Sequence, residues 1–143
     1  MPLIRQATSA DSEQVFSLAR EFATSFAPEP AAFQVAFDHL IVQDDALLLV
    51  AEGSGTVCGY LLAFDHYTFF ANGRVAWVEE IMVREDHRRE GIDGQLMGRF
   101  EEWARSHRAK FAALATRRAD QFYQALGYEE SASYFRKLLS DDV

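Results

Sequence analysis

The stretch EEIMVREDHRREGIDGQLM, residues 79–97, decides how the rest of the chain is read. Its first part is apolar and reads as the end of a strand at Val83. A polar loop follows, carrying Arg84, His87, Arg88 and Arg89. From Gly91 on, Ile92, Leu96, Phe100 and Trp103 recur at helical spacing, which predicts a helix over about 91–107. The first N–H groups of a helix have no internal partners and lie at the positive end of its dipole. A glycine there lets a ligand approach the backbone closely. A strand, a basic loop and a glycine-led helix therefore make a phosphate site, or equally a few surface arginines before an ordinary helix. The glycines fall at 91, 94 and 98, which is not the spacing of a dinucleotide fingerprint.

Working outward, LIRQA reads as a short strand. TSADSEQVFSLAREFA reads as a helix with Asp11 or Ser12 as N-cap and Val15, Phe16, Leu18, Ala19 and Phe22 on one face. PAAFQVAFDHLI follows with Pro30 in its first turn. ALLLVAEG and TVCGYLLAFDHYTFF read as antiparallel strands joined by a Ser-Gly turn, Asn72-Gly73 as a tight turn, and RVAWVEEIMV as the next strand. KFAALAT is a further strand. Ala119, Phe122, Tyr123 and Leu126 mark a short helix closed by Gly127, and SASYFRKLL is a last strand. The order β-α-α-β-β-β-α-β-α-β predicts an α+β domain over residues 1–143, with a mixed, mostly antiparallel sheet and helices on both faces.

Composition narrows the partners. The chain is 49% hydrophobic with a net charge of −8, so its surface repels nucleic acid and anionic membrane. The single cysteine, Cys58, lies in an apolar run and suits a reducing cytoplasm. No signal peptide is expected, and the apolar runs are too short to span a bilayer. His39, His66, His87 and His107 show no metal-ligand spacing, so no metal is expected.

IMVREDHRREGIDGQLM resembles the motif of the GNAT superfamily of N-acetyltransferases, in which Arg/Gln-x-x-Gly-x-Gly/Ala follows a strand ending in apolar-x-Val. Arg88, Gly91 and Ile81-Met82-Val83 match in register. ADQFYQALGYEESASYF is similar to the family's Ala-x-x-Phe-Tyr-x-x-x-Gly-Phe/Tyr segment. The resemblance implies the GNAT acyl-CoA N-acyltransferase fold and an acetyl-CoA-dependent acyltransferase of class EC 2.3.1. It further implies that the backbone of Ile81, Met82 and Val83 receives the pantetheine arm. The turn Arg88, Arg89, Glu90, Gly91, Ile92, Asp93 and Gly94 would hold the pyrophosphate, with Thr116 at the end of the fifth strand. Two positions depart from the pattern: Asp93 replaces a Gly or Ala, and Thr116 stands where many members have Asn. Arg84, Arg88 and Arg89 outnumber the anions Glu90 and Asp93. The expectation is a working site of reduced affinity.

For the chemistry, the resemblance places Tyr123 as the acid that protonates the leaving thiolate. Glu79 and Glu80 are the candidates to bind a cationic amine and relay its proton. On a regular strand they face opposite sides, one with Val75, Trp77 and Ile81, the other with Ala76, Val78 and Met82. VEEIMV is similar to a segment of the diamine and thialysine acetyltransferase branch. His66 and Tyr67 are candidates for the rim of the acceptor pocket. The expected activity is acetyl transfer to a primary, small cationic amine by direct attack in a ternary complex; the sequence is silent on oligomeric state, and a homodimer is a candidate because many relatives form dimers. The rival readings are a weakened ligand-binding or interaction module, and an acetyltransferase for protein N-termini or lysines.

Overall fold

Strands long in Val, Leu and Ala organise the molecule, and the computed structural model describes residues 2–22, 26–116 and 120–140 of it. The strands are β1 (Leu3–Gln6), β2 (Ala46–Gly53), β3 (Thr56–Thr68), β4 (Gly73–Val83) and β5 (Ala112–Leu114). They lie in the order β1-β2-β3-β4-β5. The first four are antiparallel in sequence, and β5 runs parallel to β4. A parallel neighbour needs a crossover, which a helix over Ile92–Ser106 supplies. It is α3; α1 spans Ser12–Phe22, α2 Pro30–Leu40 and α4 Asp120–Ala125.

Both faces of the sheet are covered. Leu47, Leu49 and Ala51 of β2 join Leu61, Ala76, Val78, Leu96, Met97, Phe100 and Tyr123 in one core, under α3 and α4. Leu48 and Val50 point the other way, joining Val15, Leu18, Phe37, Tyr60, Leu62 and Met82 under α1 and α2. That is why ALLLVAEG is a continuous apolar run instead of an alternating one. Each fully buried side chain of this size contributes about 1.5–3 kcal/mol.

The helix starts and turns differ in detail from their expected chemistry. Asp11 belongs to a 3-10 turn, Ser9–Asp11, that leads into α1 with Thr8 as its N-cap. Its carboxylate accepts from the Thr8 N–H at 2.7 Å and takes two bonds from Arg5, which also donates to Glu52. Ser54 and Gly55 both have positive φ, as a tight hairpin turn requires. Asn72-Gly73 is not a two-residue turn: Thr68 pairs with Gly73 and residues 69–72 form a four-residue loop. Gly127 closes α4 at φ 97°, with the Tyr128 N–H donating back to the Tyr123 carbonyl. The helical positions expected at Ala23 and Ala119 lie outside the described residues.

The last expected strand is a correction. Residues 129–140 form no helix or strand and are exposed. In SASYFRKLL, Tyr134 and Leu138 would lie on one face of a strand and Phe135 and Leu139 on the other. Neither face is apolar throughout, so no register is specified. The neighbouring β5 has only three residues to offer as a template.

Candidate active site

The site is built where β4 stops being regular. Its pairing with β3 steps from Leu62↔Glu80 to Ala63↔Val78, so Glu79 is an extra residue without a partner. This is a β-bulge. Its effect on side-chain direction is visible in the cores: Ala76 and Val78 before it, and Ile81 and Val83 after it, all pack on the α3 side. Glu80 therefore falls on the α1 side with Tyr60 and Met82. The regular alternation expected across this strand, with Ala76, Val78 and Met82 on one face, does not hold: Ala76 and Val78 lie on the α3 side and Met82 on the α1 side. The bulge inserts Glu79 before the alternation resumes at Glu80.

The same point ends the pairing with β5, whose last partner pair is Val78↔Leu114. Beyond it, no strand among the described residues pairs with the edge of β4 away from β3. The Met82 carbonyl faces β3, only 3.0 Å from where a Cβ on Gly59 would sit. Alternation then turns the backbone groups of Ile81 and Val83 to the edge away from β3. Gly59 is fixed by this close approach.

The two carboxylates differ. The Tyr60 hydroxyl donates to Glu80 Oε1 at 2.7 Å, and the Tyr60 ring is buried. Burial, then the Glu80 charge, push the Tyr60 hydroxyl far up, so it remains a donor at any working pH. Glu79 is solvent-accessible. Partial desolvation, and after it the Glu80 charge, raise its carboxyl above the usual carboxylate range.

After β4 the chain makes a 3-10 turn, Glu85–His87, and reaches α3 through Gly91, its N-cap. Gly91 takes φ 78°, a left-handed conformation that strains any residue with a Cβ. Arg89 also sits at positive φ. Nothing lies within 4 Å of a Cβ added at Gly91 or Gly94, so there is room for a ligand against this helix end. Arg88 folds back: its Nε donates to the Val83 carbonyl at 3.1 Å. His87 contacts Glu90 at 3.2 Å. The Asp93 carboxylate accepts from the N–H of Gly94 at 2.9 Å, so it occupies one of the helix-end donors itself.

Tyr123 lies on α4, buried in the α3-side core beside Phe122 and Tyr128. Burial, and second the charge of Asp93, raise its hydroxyl, which holds its proton at neutral pH. The acid candidate and the helix-end carboxylate thus belong to one neighbourhood. Thr116 is exposed, two residues past β5.

The structure does not bring His66 and Tyr67 to this place. They pair with Val75 and Arg74 at the start of β4. Glu79 is four residue steps beyond Val75, about 13 Å along the strand. Tyr67 is exposed there beneath the Arg74 guanidinium. Two groups were missed by sequence reasoning. Tyr60 sits inside an apolar run, and only the pairing of that run with VEEIMV reveals its partner. Asp65 is buried between Arg74 and His107, 2.6 Å from His107 Nδ1. It lies at the far end of the sheet, where His107 and Trp103 also line a polar cavity of about 310 Å³. Among the described residues no group of His, Cys, Asp and Glu is arranged to hold a metal ion, and no helix is long and apolar enough to cross a membrane.

With this geometry in hand, comparison with known proteins is decisive for the family. Residues 12–128 match the Acetyltransferase (GNAT) family. The chain belongs to that family, and it is an N-acetyltransferase. It is 26% identical over 140 residues to an aminoalkylphosphonate N-acetyltransferase of Salmonella typhimurium, covering 95% of this chain and 90% of that protein. Among solved structures, a transcriptional regulator of Bacillus halodurans superposes with TM-score 0.86 at 23% identity, covering 97% of this chain and 100% of the other. An aminoglycoside N-acetyltransferase solved in complex with CoA superposes with TM-score 0.83 at 20% identity, covering 96% and 95%. The mixed sheet with helices on both faces is thus the fold the sequence implied.

Proposed function

We propose that this chain transfers an acetyl group from acetyl-CoA to a small cationic amine by direct attack in a ternary complex. The observation that carries the reading is the bulge at Glu79. It coincides with the parting of β4 and β5 and sets two carboxylates beside that opening. The open space at Gly91 and Gly94, the outward backbone of Ile81 and Val83, whose Val83 carbonyl Arg88 holds, and the nearby Arg84 and Arg89 fit a pyrophosphate and its pantetheine arm. Asp93, already bonded to the Gly94 N–H, competes with them most directly, and Glu90 lies in the same turn.

In this reading Glu80 fixes the ammonium and Glu79 takes its proton through water. Its raised carboxyl makes it a better proton acceptor than an ordinary glutamate. The neutral nitrogen attacks the thioester carbonyl carbon, and the C–S bond breaks. Tyr123 gives its proton to the departing sulfur and is later reprotonated from solvent. The attached nitrogen gives its second proton to water, which offsets the one Tyr123 donates, so the net products are an amide, CoA thiol and one proton.

A panel of amines assayed by CoA release tests this. Diamines should be turned over, and Glu79→Gln with Glu80→Gln should raise their KM by roughly 10- to 100-fold, as expected when charge-assisted contacts are lost. A neutral-tailed amine should be affected less. An aminoalkylphosphonate, the acceptor in the Salmonella relative's name, brings an anion to the same carboxylates and should be a poor acceptor. Turnover of the phosphonate in preference to diamines would overturn the cationic reading.

A further inference from the structure

We propose that Tyr60 is a positioning residue of the acceptor site, one that makes Glu80 the fixed anchor and leaves Glu79 the movable proton acceptor. The inference rests on the acceptor reading above. A glutamate on a strand has three rotatable bonds, and an anchor for an ammonium has to be held still. Tyr60 is almost wholly buried, packed with Val15 and Leu18 of α1 and with Phe37 of α2. It reaches Glu80 through the one atom of its ring that is polar, at 2.7 Å. A rigid aromatic lever thus crosses from β3 to a carboxylate on β4. The bond takes Oε1 and leaves Oε2 for a ligand.

The register explains why only one of the two carboxylates is held. Tyr60 pairs with Met82, and Leu62 with Glu80, so Glu80 lies diagonally across from Tyr60 on the same face. Glu79, the bulged residue, has no cross-strand neighbour in that ladder. The sheet therefore offers the amine two oxygens of different stiffness. A hydroxyl with no function would be costly to bury in this core, and Phe would fill the same space without a partner to satisfy.

Tyr60→Phe keeps the ring and removes only the donor. Its expected effect is a rise of roughly 3- to 30-fold in KM for 1,4-diaminobutane, with kcat changed less and acetyl-CoA KM unchanged. The neutral-tailed amine should keep its KM, which a general loosening of the core would not allow. In a double-mutant cycle with Glu80→Gln the two changes should be strongly non-additive, because the second removes what the first positioned. With Glu79→Gln they should add. A readout without turnover is the Tyr60 hydroxyl proton, which should be visible by NMR and protected from exchange in the wild type and lost in Glu80→Gln. Equal losses for both amine types, or additivity with Glu80→Gln, would overturn the positioning role while cationic amines remain substrates. Failure of the wild type to accept any cationic amine would instead overturn the acceptor reading, and this role with it.

Discussion

Asp93 sits on the helix end that a pyrophosphate needs, already bonded to the next residue's N–H. At an effective dielectric near 20 and a separation of about 6 Å, each unit of like charge costs roughly 2–3 kcal/mol. A side chain that swings into water on binding leaves less than that. Asp93→Ala should therefore tighten acetyl-CoA binding by about 3- to 30-fold, measured by calorimetry. The unliganded protein should melt lower, because a first-turn anion contributes about 0.3–1 kcal/mol. The same variant tests a second link. The Asp93 charge is one cause of the raised Tyr123 hydroxyl, after burial. Without it the hydroxyl ionises at lower pH, so the alkaline fall of kcat should begin earlier than in the wild type. Weaker acetyl-CoA binding would mean that Asp93 orders the turn, and that the electrostatic cost argued here has the wrong sign. The residue pattern around Gly91 and Asp93 was legible in the sequence because helix-end chemistry is local. The bond from Gly94 was not, since it depends on one side-chain rotamer.

The elements that sequence reading recovered are those with a sustained apolar pattern, whether a helical period or a continuous buried run. In α3, Ile92, Leu96 and Phe100 recur at helical spacing and are all buried. The bulge in β4 was invisible because it is a relation between two strands: Glu-Glu reads the same in a regular ladder as in an irregular one. The last strand was over-read because the apolar residues of SASYFRKLL fall on both faces and so name neither a register nor a partner. The bulge also carries an element-scale prediction. Deleting Glu79 removes the unpaired residue and leaves Val78, Glu80 and Ile81 in plain alternation. Both cores keep their side chains, and β4 is free to run straight alongside β3 and β5. The deletion variant should fold with a melting temperature at or above that of the wild type. Its acetyl-CoA affinity should fall by about tenfold or more, because the strands no longer part beyond Val78. A folded deletion variant with wild-type affinity would show that the opening does not depend on the bulge.

At the scale of the whole molecule, the two proposed substrates meet the same field with opposite signs. The chain carries a net charge of −8, while the loop before α3 sets Arg84, Arg88 and Arg89 among Glu85, Asp86 and Glu90, so its attraction for an anion is local to the arginines. A cationic amine is attracted both by the general field and by Glu79 and Glu80. Acetyl-CoA is repelled by the general field and attracted only near the loop. Salt screens all of these, with a Debye length of about 14 Å at 0.05 M falling to about 4 Å at 0.5 M. For the amine, every term weakens together, so its KM should rise several-fold across that range. For acetyl-CoA, screening removes a long-range repulsion and a local attraction at once, and its KM should change by less than about twofold. Steady-state kinetics at several salt concentrations, each substrate varied with the other saturating, separate the two. Parallel rises in both KM values would place the loop arginines, and not the net charge, in control of acetyl-CoA capture. An amine KM indifferent to salt would mean that the acceptor binds without its charge being read, and the two carboxylates beside the bulge would then serve proton transfer alone.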